Sequence, residues 1–148
     1  MTSCSSHEII WIKPDIEEEQ WEFFRHPDKQ WYYQRHGIAW PDIVAGFANG
    51  ELVSYPRSNM VGDITISLSY HTYEDYSRYL AKAKRGYRIS YARMEDELQR
   101  HGRLTLKAPI IVTVANEGML FSGYRRLCLA WNYGMVPYAW LVPLKPGY

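Results

Sequence analysis

Residues 108–126 decide the fold, and they read Ala-Pro-Ile-Ile-Val-Thr-Val-Ala-Asn-Glu-Gly-Met-Leu-Phe-Ser-Gly-Tyr-Arg-Arg. The β-branched run at 108–114 predicts a strand, and the residues at 115–118 predict a turn. A short partner strand is expected at 119–121, followed by a tight turn at Gly123 that opens a helix. The stretch therefore predicts a β-hairpin that leads directly into a helix.

The chain after this hairpin continues with the same alternation of elements. The helix has three expected inner positions, Leu127, Ala130 and Trp131. Gly134 is expected to close it, and residues 136–142 predict a returning strand. Strands and a helix that alternate within so short a stretch predict a mixed α+β domain.

The chain before residue 108 has weaker signals. The first expected elements are a strand at 8–12 and a helix that begins at the Asp15/Glu18 capping box, with Ile16, Phe23 and Phe24 on its apolar side. A strand is expected at 63–69, followed by a helix that runs from the Thr72 capping box to about Arg85 and stops at Gly86. A further helix is expected from Ser90 to Gly102, with Met94 and Leu98 inside. Residues 28–60 are rich in Trp and Tyr and are interrupted by Pro and Gly, which predicts turns and short strands. The aromatic residues at 31–40 are expected in the core, although exposed aromatic residues can also anchor an interface.

Composition describes one ordinary domain over residues 1–148. The chain is 47% hydrophobic and 22% charged, and its 16% aromatic content with a net charge of +1 excludes a disordered protein. Its two cysteines, Cys4 and Cys128, cannot build a disulfide scaffold and suit a reducing compartment, with Cys128 expected as a buried thiol. No signal-peptide pattern and no long apolar stretch is present, so a cytoplasmic location without a membrane span is expected.

Charge is divided unevenly along the chain. Residues 1–77 hold 5 Lys/Arg against 12 Asp/Glu, and residues 78–126 hold 11 against 4, giving net charges of −7 and +7. A basic block beside an acidic block predicts either a surface for a polyanion or two blocks that face each other within the fold.

The most informative local feature is the pair of arginines, Arg125 and Arg126, in the first turn of the helix that follows Gly123. A helix dipole disfavours cations at this end, by a few tenths of a kcal/mol to about 1 kcal/mol each. An anion at the turn would reverse that penalty, because first-turn N–H groups and an Arg fork both suit phosphate. The alternative is that one arginine pairs with an internal carboxylate and fixes the helix.

Residues 89–143 resemble the ParB/sulfiredoxin superfamily. The motifs that carry the resemblance are His101-Gly-Arg-Leu, Pro109-Ile-Ile-Val, Gly123-Tyr-Arg-Arg126, Ala130, Gly134 and Val136-Pro137. The Gly-x-Arg-Arg form is closer to the ParB-like branch, because Tyr124 stands where sulfiredoxins need a cysteine. Ala108 also replaces the usual Gln, and no Glu-Asn-x-x-Arg segment follows the closing strand, so a sliding-clamp partition protein is not expected. Residues 1–88, acidic and aromatic, resemble no family.

The resemblance implies a ParB-like α+β fold with a small mixed sheet flanked by helices. It also implies a site for a nucleoside triphosphate, CTP or ATP with Mg²⁺, or for the phosphates of DNA. The site residues that it implies are Ser122, Gly123, Tyr124, Arg125 and Arg126 at the phosphate, with His101, Gly102 and Pro109 as the adjoining wall.

A basic and aromatic segment before the hairpin points to nucleic acid. The candidate contacts are Lys82, Lys84, Arg85, Arg88, Arg93 and Arg103, interleaved with Tyr79, Tyr87 and Tyr91. The alternative is a solvated helix face. No metal site is expected, because His26, Asp28 and His36 fit no established spacing.

Two main hypotheses of function result, beside a third, a small-molecule kinase or phosphatase on the same fold, for which the sequence singles out no catalytic carboxylate. The first is a ParB-like protein acting on DNA, as a small nuclease or nucleotide-dependent DNA-binding factor. The second is a non-catalytic interaction or inhibitor protein of a mobile element that uses the ParB-like fold as a scaffold and binds a protein partner through its N-terminal part. No catalytic residue and no oligomeric state is predicted from the sequence.

Overall fold

The computed structural model describes residues 7–24, 30–56, 85–114 and 117–145. Its elements are strand β1 (Glu8–Ile12), a 3-10 turn (Glu17–Glu19) that continues into helix α1 (Gln20–Phe24), helices α2 (Gln30–His36) and α3 (Trp40–Ala48), strand β2 (Glu51–Ser54), helix α4 (Arg85–His101), strands β3 (Arg103–Lys107), β4 (Ile110–Val114) and β5 (Glu117–Ser122), helix α5 (Tyr124–Asn132) and strand β6 (Tyr138–Leu144). The fold is mixed α+β.

Six strands of the described part form two sheets. The larger has the order β2-β6-β4-β5, with β4 and β6 parallel and the other two pairs antiparallel. Strand β1 pairs in parallel with β3 in a separate two-stranded sheet. The central strand β4 is buried along nearly its whole length, which explains its continuous β-branched sequence.

Each face of the larger sheet is covered by helices. Alternate residues of β4 and β5, with side chains from α1, α2 and α3, form one core cluster: Ile16, Phe23, Tyr32, Tyr33, Ile43, Phe47, Ile110, Val112, Val114, Met119 and Phe121 are among its members. On the other face, Leu127 of α5 packs against Ile111 and Leu120. Leu129, also on α5, packs against α4 and β3 through Leu98 and Leu104. Helix α5 thus joins the two sheets.

The hairpin, the helix after it, the closing strand and β1 are confirmed, although β5 begins at Glu117, inside the predicted turn, and β6 spans Tyr138–Leu144 rather than 136–142. Gly102 ends α4 and Gly134 follows α5, both with positive φ. Cys128 is buried, as expected. The expected strand at 63–69, nearly all of the helix from Thr72 to Arg85 and the residues 115–116 lie outside the described residues.

The prediction of turns and short strands over 28–60 is wrong for most of the described part of that range, where α2 and α3 are helices. Pro41 was expected to interrupt regular structure, but it stands in the first turn of α3, where proline is tolerated. Asp42 accepts a hydrogen bond from the Ala39 N–H at 2.8 Å and caps the same turn. The expectation that this aromatic stretch supplies core is met by Tyr32 and Tyr33.

Helix α4 also differs from its prediction. Gly86 does not stop a helix and Ser90 does not start one, because both lie inside α4. A glycine within a helix costs only about 1 kcal/mol relative to alanine, so it need not end one. Met94 and Leu98 do pack inward. Strand β3 was not predicted; its Leu104 and Leu106 alternate with the basic residues of the strand and face the core.

The N-terminal helix begins differently from the expected capping box. Asp15 Oδ1 accepts the Glu17 N–H at 3.0 Å, and the first turn is 3-10 rather than α. Glu18 instead forms an ion pair with Lys107. Phe24, expected on the apolar side, is exposed. In the part of the chain that the structure describes, no helix has the length and apolar character needed to cross a membrane.

Candidate phosphate-binding site

The turn between β5 and α5 depends on Gly123. Its backbone has φ 102° and ψ 22°, and it occupies the N-cap of α5. A Cβ at this position would lie 2.7 Å from both Cα and Cβ of Pro109, closer than atoms can approach. The left-handed φ and the contact with Pro109 both require glycine here. Pro109 therefore packs directly against the turn at Gly123.

The first turn of α5 has an open, electropositive N-terminus. No side chain caps it, and no acidic residue occurs in its first turn. The Gly123 carbonyl accepts the N–H groups of Arg126 and Leu127, both at 3.1 Å. The N–H groups that precede these point out of the N-terminal end of a helix, where the dipole favours an anion.

Ser122 adds a hydroxyl beside this turn. It is only 3% exposed, and its Oγ has no hydrogen-bond partner among the described residues. It pairs with Ile110 across the hairpin and lies two residues after Leu120, which faces α5. A buried hydroxyl without a hydrogen-bond partner destabilises a protein by about 1–3 kcal/mol, so a ligand that accepted a hydrogen bond from Ser122 would remove that penalty.

Arg126 is occupied by the protein itself. Its Nη2 lies 3.5 Å from Glu19 Oε1, and both side chains are only 17% exposed. Its Nη1 donates to the Lys107 carbonyl, with the Ala108 carbonyl at 3.5 Å. This is the internal-carboxylate arrangement that the sequence left open. Arg126 thus joins α5 to the 3-10 turn and to the link between β3 and β4.

Arg125 is the other arginine of the turn, and it is half-buried. It follows Gly123 by two residues, so it belongs to the same first turn of α5. Tyr124 begins this helix, although its side chain lies outside the described residues. Arg125 is therefore a half-buried arginine of the same turn, with contacts of its own within the fold.

His101 and Gly102 do not join this turn. His101 ends α4 and Gly102 links it to the start of β3, whereas Arg126 contacts the carbonyl of Lys107 at the end of that strand. With a rise of about 3.3 Å per residue, the two ends are roughly 13 Å apart. His101 and Gly102 instead line an open groove of about 940 Å³ with His7, Glu8, Glu97, Arg103, Leu104 and Thr105. The site residues implied by the resemblance thus fall into two separate groups.

The candidate nucleic-acid residues are only partly described. Lys82 and Lys84 lie outside the described residues, and Arg85 and Arg88 belong to α4 without described side chains. Arg93 is exposed on α4, whereas Arg103 lies on β3 and pairs with Glu8 at 3.2 Å. Lys107 is paired with Glu18, and this hydrogen bond raises the lysine pKa. Part of the basic block thus faces the acidic block within the fold.

The contact between α4 and α5 is polar as well as apolar. Asn132 donates to the Tyr91 hydroxyl, and Gln99 donates to the Tyr133 hydroxyl at 2.8 Å. Burial raises the pKa of Tyr91 to about 12 and also raises the pKa of Tyr133. These phenols stay protonated at neutral pH, and the Tyr133 hydroxyl donates to the Glu95 carboxylate at 3.3 Å.

The donors at the turn fit a phosphate group better than they fit a metal. Among the described residues, no group of three His, Cys, Asp or Glu side chains is placed to bind a metal ion. A hydroxyl, an arginine and helix N-terminal amides are all donors, which is the chemistry that phosphate oxygens need. Sequence reasoning missed Glu19 entirely, because nothing local in an acidic run indicates which carboxylate turns inward.

Comparisons with protein-family models, with curated proteins and with solved structures find no match to this chain. The structure alone defines its class, a mixed α+β protein with a glycine turn at the N-terminus of an inner helix.

Proposed function

We propose that this chain is a ParB-like protein that acts on DNA, as a small nuclease or nucleotide-dependent DNA-binding factor, and that it binds phosphate at the turn formed by residues 122–126. The geometry of Gly123 carries the proposal. Its packing against Pro109 leaves the N-terminus of α5 without a side-chain cap, beside a buried hydroxyl that has no described partner.

The order of elements supports the ParB-like part of the proposal. Helix α4 ends at Gly102, Pro109 precedes β4, the hairpin leads to Gly123, and Val136-Pro137 precede β6. This is the order of motifs in the superfamily that residues 89–143 resemble. Strand β3, inserted between α4 and Pro109, is a departure from that pattern.

The residues have different roles in this proposal. Arg125 and the first-turn amides hold the phosphate oxygens, and the Ser122 hydroxyl donates to one of them. Arg126 fixes the turn from behind through Glu19 and the carbonyls before Pro109. The resemblance points to a nucleoside triphosphate such as CTP or ATP, with Mg²⁺, as the ligand whose phosphates these donors would hold. No residue is assigned a proton-transfer step, so binding is the part of the function that these side chains carry.

The test is a thermal-shift panel of CTP, ATP, GTP and UTP with and without Mg²⁺. A nucleotide at 100 times its Kd stabilises the folded state by about 2.7 kcal/mol, roughly 5–11 °C for a chain of this size. Arg125→Ala and Ser122→Ala should each reduce that shift. Lys145→Ala removes the same charge beyond the end of β6, at the opposite end of β4 from the turn, and should leave the shift unchanged.

DNA is tested in parallel by fluorescence anisotropy with single- and double-stranded oligonucleotides. Affinity for DNA phosphates should fall steeply between about 50 and 200 mM salt, and Arg125→Ala should make the fall shallower. An Arg125→Ala protein that binds every nucleotide and both DNAs as well as wild type would remove the proposal. So would a wild-type protein that binds none of them.

A further inference from the structure

A second surface, independent of the phosphate turn, lies on the 3-10 turn and α1. Trp21 is 45% exposed and Phe24 is 59% exposed. Glu17, Trp21 and Phe24 follow one another at helical spacings of four and three residues, so they share one side of this element. The opposite side places Ile16 and Phe23 in the core. The 3-10 turn and α1 therefore expose two large aromatic side chains in addition to those that they bury in the core.

The Phe24 side chain is held in place by neighbouring rings. The Phe24 ring meets Phe23 edge-on with centroids 4.9 Å apart, and it lies 6.0 Å from the ring of Trp40. Trp40 in turn stacks on the core residue Phe121. A rigid aromatic side chain loses little conformational entropy on binding, which is why such residues anchor interfaces.

Charge decides what this surface can bind. Residues 7–24 contain six carboxylates and a single lysine. Glu8, Glu18 and Glu19 are neutralised by Arg103, Lys107 and Arg126. Asp15 and Glu17 are exposed and have no ion pair within the described residues, so the negative charge of Glu17 remains about one turn before Trp21. Such a surface repels nucleic acid and anionic membranes, and it attracts basic groups.

We propose that Glu17, Trp21 and Phe24 form a docking surface for a Lys/Arg-rich segment of a partner protein. An arginine of the partner stacks on the Trp21 ring and pairs with Glu17, and an apolar residue packs on Phe24. Cation–π contact is strongest with tryptophan, and a neighbouring carboxylate strengthens it. The proposal does not depend on the phosphate site.

The test uses the full chain and two labelled 16-residue amphipathic peptides, one of Arg and Leu and one of Glu and Leu, in fluorescence anisotropy. The Arg/Leu peptide should bind wild type. The double variant Trp21→Ala/Phe24→Ala, which keeps every charge, should bind it at least tenfold more weakly. Glu17→Gln should weaken it about threefold at low salt. Val136→Ala/Tyr138→Ala, which removes two exposed apolar side chains from another part of the chain, should bind as wild type does.

Three results would overturn the proposal. The first is equal affinity of wild type and Trp21→Ala/Phe24→Ala for the Arg/Leu peptide, with unchanged melting temperatures. The second is equal binding of the Glu/Leu peptide. The third is a concentration-dependent dimer in sedimentation that Trp21→Ala/Phe24→Ala abolishes, because a second copy would then cover this surface.

Discussion

Replacing Arg126 by alanine tests how the turn at Gly123 is held. The change removes a guanidinium that pairs with Glu19 at 3.5 Å and donates to the Lys107 carbonyl, where both charged side chains are 17% exposed. Removing one partner of a buried ion pair costs about 3–5 kcal/mol when no water reaches the other. The partial exposure here lowers the figure to about 3 kcal/mol, which corresponds to a fall in Tm of roughly 6–12 °C for this size of chain.

The assay is thermal and urea unfolding of four proteins: wild type, Arg126→Ala, Glu19→Ala and the double variant. If the two side chains interact as the structure shows, the double variant should be little less stable than Arg126→Ala, with a coupling free energy of about 1–3 kcal/mol. Arg100→Ala is the control, since its pair with Asp96 is exposed and should contribute less than about 1 kcal/mol. An Arg126→Ala protein that melts within 2 °C of wild type would refute the reasoning.

Two further changes test the turn and the contact between α4 and α5. Gly123→Ala should lower stability by about 3 kcal/mol or more, because its Cβ would meet the Pro109 backbone; Gly134→Ala, with a similar positive φ but nothing within 4 Å, should cost only about 1–2 kcal/mol. If the Gly123→Ala protein were no less stable than the Gly134→Ala protein in urea unfolding, this would contradict the close packing of Gly123 against Pro109. Tyr91 has a folded pKa of about 12, above the value near 10 of an unfolded chain, so its stabilisation is complete below pH 10 and is lost as pH rises to 12. Tyr91→Phe should therefore flatten the decline in stability measured between pH 9 and pH 11.

The sequence patterns of this chain predict some elements and miss others, for physical reasons. The hairpin, α5 and β6 were predictable, because the β-branched run of β4 and the glycines around α5 act locally. Helices α2 and α3 were not predictable, because the helix propensities of tyrosine, tryptophan and proline say little about segments that are stabilised mainly by burial of their side chains. Tyr32 and Tyr33 are nearly inaccessible, and that burial overrides their modest helix propensity.

Only the part of the candidate site that is formed by residues close together in the sequence was predictable. Glycine followed by two arginines indicated an electropositive turn, and the structure places Gly123 at the helix N-cap. The pairing of Arg126 with Glu19 was not predictable, since Glu19 approaches only when the chain is folded. The same limit applies to His101 and Gly102, which the resemblance grouped with Pro109 and which the structure places at the other end of β3.

The parallel pairing of β1 with β3 has a consequence for synthesis on the ribosome. Glu8 meets Arg103 across 95 positions of the chain. At about 5–20 residues per second, the ribosome synthesises β3 roughly 5–19 seconds after β1. During that interval Ile10, Ile12 and an open strand edge are available to other nascent chains. Strand β3 precedes the hairpin, α5 and β6 in the chain, so its synthesis ends this interval before those elements are complete. Until then, the unpaired N-terminal strand is a part of the protein exposed to aggregation.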